Sequence, residues 1–115
     1  MLDNSGADGE EEYLSEFKRA FVPQPGFEAT YTIIIEEKKA PMWIAVNGTS
    51  VECGYGETEK HDVEMSMNRA AMEDIINGRM TFQRAFMSGV MQRMKGDFRI
   101  LRILDQAFPF EEKDR

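Results

Sequence analysis

From Phe27 to Ile35 every second side chain is apolar: Phe27, Ala29, Tyr31, Ile33 and Ile35, with mostly polar residues between them. A period of two marks a strand with one buried face. "MWIAVNG" and "TSVECGYG" predict two further short strands, and the "NGT" between them is a tight hairpin signal. "HDVEMSM" alternates again, with Val63, Met65 and Met67 on one side and Asp62, Glu64 and Ser66 on the other. Four strands, each apolar on one side, predict a sheet whose second face is solvated.

Elsewhere the period lengthens to that of a helix. Between Glu10 and Phe21 the apolar positions are Tyr13, Leu14, Phe17, Ala20 and Phe21, and "PQPG" at 23–26 stops the run. Asn68 is placed to cap a helix with Met72, Ile75 and Ile76 inside and Gly78 at its end. Thr81 is placed to cap a second short helix carrying Phe82, Ala85 and Phe86. A last helix is expected from Asp97 to about Phe108, with Phe98, Leu101, Leu104, Ala107 and Phe108 on one side and Pro109 ending it. Helices gathered on one face of an antiparallel sheet make an α+β layer fold.

The segment "AFMSGVMQRMKGD" (85–97) supports two readings. Phe82, Phe86, Val90 and Met94 recur every four residues, as on one continuous helix. Alternatively Gly89 ends a helix and residues 90–96 form a strand. In a regular strand Met91 and Met94, three apart, would face opposite ways. If both pack inward, one extra residue near Gln92 or Arg93 must be absorbed as a β-bulge.

Length and composition add limits rather than detail. The 115 residues suit one domain, expected over 10–110, with an acidic, disordered segment at 1–9 and a solvated tail at 111–115. No apolar run is long enough to span a bilayer, and the acidic start does not resemble a secretory signal. One cysteine, Cys53, allows no internal disulfide, so a reducing cytoplasm is the expected location. The formal net charge of −7 argues against nucleic acid as a partner. Between Arg79 and Arg102, however, six cations face a single acid, a local balance of +5. Such a run is commonly a solvated face. The sharper reading is transient docking on an anionic membrane through Arg84, Arg93, Lys95, Arg99 and Arg102.

Catalytic signals are thin. His61 is the single histidine, beside Asp62 at a strand start, and Cys53 alternates with Val51 and Tyr55 as a small apolar strand residue. Cys53, His61 and Asp62 match no zinc spacing, and "GYGETE" lacks the lysine and hydroxyl of a phosphate loop. No enzyme, metal or cofactor is expected. Methionine is the conspicuous residue instead. Seven of the nine lie between Met65 and Met94. Its unbranched, polarisable chain fills cores, and it also lines surfaces that repack around variable shapes.

At "TFQRAFMSG" followed by "KGDFRILRILDQAFPF" the chain resembles the sterol-carrier-protein family of small lipid-binding domains. "FVPQPGFEATYTI" and "HDVEMSMNRAAMEDIINGRM" extend the likeness from about Tyr13 to Phe110. The resemblance implies a five-stranded, mostly antiparallel sheet with helices on one face, enclosing an apolar tunnel. It favours the split at Gly89, although "VMQRM" is one residue longer than the family pattern there. It implies non-enzymatic binding and transfer of a fatty acyl chain, a sterol-like molecule or another lipid by a monomer.

On that reading the apolar lining is expected from Ile33, Ile35, Met65 and Met67 on the strands and from Met72, Ile76, Phe82 and Phe86 on the middle helices. Met91 follows in the fifth-strand segment, and Leu101, Leu104 and Phe108 on the last helix. The alternative is a protein–protein module docking through its apolar helices on an enzyme or a second subunit.

Overall fold

The backbone bears out the period-two segments. In the computed structural model, which describes residues 5–38 and 40–111, the strands are β1 (Glu28–Ile35), β2 (Met42–Asn47), β3 (Ser50–Tyr55), β4 (Val63–Met67) and β5 (Arg93–Gly96). The helices are α1 (Ser5–Ala20), α2 (Arg69–Ile76), α3 (Phe82–Met87) and α4 (Leu101–Ala107), the last preceded by a 3-10 turn at Phe98–Ile100. Side chains are described from Tyr13 onward. Residues 1–4 and 112–115, where parts of the expected N-terminal segment and tail fall, lie outside the described residues.

The sheet runs β3-β2-β1-β4-β5. Asn47 pairs with Ser50 across the "NGT" hairpin, and β1–β2, β2–β3 and β4–β5 are all antiparallel. β1 and β4, at the centre, are parallel. Asp62 secures the start of that pair: its amide donates to the Thr30 carbonyl and its carboxylate accepts from the Thr30 amide, both at 2.8 Å.

Local capping fixes the helix starts. Asn68 Oδ1 accepts from the Ala71 amide at 2.9 Å, Thr81 Oγ1 from Arg84 at 3.0 Å, and Asp97 Oδ1 from Arg99 at 3.0 Å. Each satisfies an amide that the first helical turn leaves unpaired. Gly89 lies just past α3 with φ +84°, a left-handed position that favours glycine. The chain therefore breaks at Gly89, and the continuous-helix reading fails.

The strand that follows is shorter than the expected 90–96. The Gln92 amide donates to the Ser66 carbonyl at 2.9 Å, although Ser66 is already the register partner of Arg93. Two residues facing one make a bulge. It lets buried Met91 and part-buried Met94 both pack inward while Gln92 and Arg93 are exposed.

Candidate functional site

Register assembles the apolar face of the sheet row by row. Tyr55, Met42, Ile33, Met65 and Met94 lie abreast across all five strands, and Cys53, Ile44, Tyr31 and Val63 form the next row. The helices cover this floor with Phe17 from α1, Met72, Ile75 and Ile76 from α2, Phe82 and Ala85 from α3, and Leu101, Leu104 and Ala107 from α4. Phe17 is the aromatic centre: its ring lies 5.0 Å from Phe108, 5.1 Å from Phe110 and 6.3 Å from Phe82.

Polar groups hold the edges of this interior and stay out of its middle. Tyr31 Oη donates to the Ile100 carbonyl at 2.7 Å, tying the central strand to the 3-10 turn. Its burial, with Asp62 and Asp105 nearby, raises its pKa and keeps the phenol neutral. Tyr13 Oη donates to Glu73 Oε2 at 3.1 Å, and the Val22 amide to the Ala107 carbonyl at 2.8 Å. Asp105 on α4 accepts from the amides of Phe82 and Gln83 and from Gln83 Nε2. Burial pushes this carboxyl above the usual range, and those hydrogen bonds pull it partly back.

Of the residues expected to line a ligand, Ile33, Ile35, Met65, Met67, Met72, Ile76, Phe82, Met91, Leu101, Leu104 and Phe108 share one buried cluster. Phe86 does not join them; it is 37% exposed and stacks on Phe98. Phe17, Tyr31, Met42 and Ile44 occupy the same interior but were not among the residues expected there. The alternation of Met42, Ile44 and Val46 carried that information for β2.

Side chains pack closely between floor and roof. Phe17, Tyr31, Met65, Met67, Met72 and Leu104 are fully buried, so none borders a void that would admit water. Grooves open at the rim. A groove of about 460 Å³ runs between the end of α1, Ile76 on α2 and the segment Pro109–Glu111, with Val22 and Phe110 in its walls. A smaller one of about 260 Å³ opens among Ile75, Met80, Arg84, Asp105 and Phe110.

His61 and Cys53 gather no catalytic partners among the described residues. His61 Nε2 lies 3.3 Å from Glu64 Oε1, part-exposed at the start of β4. Cys53 Sγ donates weakly to the Leu14 carbonyl at 3.9 Å, and burial pushes its thiol pKa up, away from a reactive thiolate. Among the described residues no three His, Cys, Asp or Glu side chains gather as a metal site. Nor, among the described residues, is any helix long and apolar enough to cross a membrane.

Residues 25–109 match the profile of the SCP-2 sterol transfer family. No curated protein matches the chain. Among solved structures, a double mutant of the sec-alkyl sulfatase PisA1 superposes with a TM-score of 0.73 at 13% identity; the match covers 91% of this chain but 16% of the sulfatase. Sterol carrier protein 2 like 2 from Aedes aegypti gives 0.61 at 15% identity, covering 85% of this chain and 94% of that one. Its palmitated form in solution gives 0.61 at 12% identity, covering 99% and 100%. At such identities these structures speak for the fold alone.

Proposed function

The chain belongs to the SCP-2 sterol transfer family, and we propose that it binds and carries a hydrophobic molecule, an acyl chain or a lipid of similar girth, between its sheet and its helices. The observation that carries this reading is the methionine-rich interior. Met42, Met65 and Met67 on the floor and Met72 in the roof are fully buried, and no charged group lies among them. Each has three rotatable side-chain bonds, so it can swing aside and repack where a branched residue would resist. A guest that takes over their contacts replaces one apolar environment with another. The rim groove beside Ile76, about 460 Å³, falls in the size range of small-molecule sites and supports a way in between α1 and α2.

Binding without catalysis fits the polar groups present. Tyr31, Asp105 and Cys53 are each held neutral, hydrogen-bonded or both, and act as ties between elements. The protein–protein alternative is less well supported, because the inner faces of α3 and α4 are already buried within the chain. Delivery of such a cargo ends at a membrane, the partner expected from Arg84, Arg93, Lys95, Arg99 and Arg102.

Native mass spectrometry of the purified protein tests the reading. An adduct with the mass of an acyl lipid, removed by delipidation and restored by a long-chain fatty acid, supports it. Protein that stays unliganded with every lipid class offered rejects it.

A further inference from the structure

Of the six large hydrophobic side chains exposed among the described residues, four lie in one short stretch: Phe86 (37%), Met87 (79%), Val90 (37%) and Phe98 (57%). They come from three elements. Phe82 and Ala85 form the inner face of α3, so the helix turns Phe86 and Met87 outward. Val90 follows the break at Gly89. Phe98, on the 3-10 turn, returns to stack on Phe86 with ring centroids 5.9 Å apart and planes 20° apart. A shallow groove of about 280 Å³, lined by Gln83, Phe98, Arg99 and Arg102, continues the same surface.

The cations of this region do not all belong to that tip. Met94 packs inward opposite Met65, so alternation turns Arg93 and Lys95 to the other face of the sheet, where Lys95 pairs across from Glu64. Arg99 is held by Asp97 at 2.9 Å, which cancels much of its charge. Arg84 and Arg102 have no carboxylate partner among the described residues; Arg84 is on α3 with Met87 and Arg102 lines the groove with Phe98. An apolar tip flanked by unpaired guanidinium groups is complementary to one kind of surface. Lipid phosphates meet the cations while the apolar side chains reach the acyl boundary.

We propose that this tip is the surface through which the protein docks on an anionic bilayer, Met87 and Phe98 entering it and Arg84 and Arg102 lying over lipid phosphates. Its use in loading or delivery rests on the carrier reading, but the docking itself is tested separately. Arg93 and Lys95, expected from the sequence to take part, are assigned no contact.

The test is co-sedimentation of the whole chain with vesicles of phosphatidylcholine alone and with vesicles in which phosphatidylglycerol replaces part of it. Binding is expected to the second kind and to weaken as salt rises through physiological levels. Met87→Asp should lower it about tenfold, since burial of one such side chain is worth at least that factor. Arg84→Glu and Arg102→Glu should each lower it about fivefold or more. Arg93→Glu and Lys95→Glu should matter less than either.

Met87 is largely exposed, so its replacement leaves the fold intact, as a melting curve will verify. Met87→Trp gives a second readout: tighter binding and a blue-shifted emission on anionic vesicles. No binding, equal binding to both vesicle types, or loss through Arg93→Glu and Lys95→Glu but not Met87→Asp overturns the proposal. So does self-association that Met87→Asp abolishes, which would make the tip a contact between copies. Protein that carries lipid yet ignores vesicles refutes docking alone; protein that docks yet holds no lipid refutes the carrier reading alone.

Discussion

Asp105 on α4 accepts the backbone amide of Phe82 at 2.7 Å, so α3 begins on a side chain supplied by another helix. The second oxygen accepts from Gln83 at 3.0 Å, and Thr81 covers Arg84. A six-residue helix does not hold itself together in water, so this clamp and the buried face of Phe82 and Ala85 keep that part of the roof in place.

Replacing Asp105 with Ala leaves those amides without acceptors and should cost about 1–3 kcal/mol. Asp105→Asn keeps one acceptor oxygen and should cost less. Denaturant unfolding measures both; equal stability of all three proteins would show that the clamp contributes nothing.

The same carboxyl gives a pH signature. Burial holds Asp105 above the usual carboxylate range, while hydrogen bonds from Arg99 hold Asp97 below it. A raised carboxyl pKa means that the folded protein binds the proton more readily than the unfolded chain. Its contribution is therefore fully present at low pH and is lost as pH rises through the folded value. The deficit of Asp105→Asn against wild type should be smaller at pH 7 than at pH 4. Carboxyl NMR titration should also show Asp105 protonating at higher pH than Asp97; the reverse order would contradict the geometry.

Two glycines should differ in tolerance. Gly89 has φ +84° with open space around an added Cβ, so Gly89→Ala should cost about 1–2 kcal/mol. Gly96, with φ +109°, faces Val63, and a Cβ there runs into the Asp62 carbonyl. Gly96→Ala should cost about 1–3 kcal/mol from backbone strain before that contact is counted, and should loosen β5. Thermal melts that rank the two the other way would contradict this account of the edge strand.

If methionine flexibility lets a guest in, shape matters apart from hydrophobicity. Met65→Ile combined with Met67→Ile keeps nearly the same volume and should cost under about 1.5 kcal/mol per site. The branched side chains should nevertheless weaken fatty-acid binding, read by isothermal titration of delipidated protein. Unchanged affinity would remove the methionines from the mechanism.

Most of what the sequence made legible is short-range. The alternation of Phe27–Ile35 and Val63–Met67, the caps at Asn68 and Thr81, and the break at Gly89 each depend on neighbours within a turn or two. The bulge before β5 was legible because Met91 and Met94 had to share a face. The parallel pairing of β1 with β4 was not, because it joins residues about thirty apart and leaves no local pattern. Asp105 clamping Phe82 was hidden for the same reason. Phe86 was misplaced because helical spacing says which residues share a stripe, not how far the layer beneath extends. The buried residues of α3 are Phe82 and Ala85, and Phe86 meets Phe98 instead of the interior.

The central claim is tested most directly by methyl NMR of delipidated protein carrying 13C-labelled methionine, titrated with a long-chain fatty acid. Ligand held between sheet and helices should give saturable shifts at Met42, Met65, Met67 and Met72, with Met87 unmoved in the absence of vesicles. Shifts confined to Met87, or none at any methionine, would contradict it.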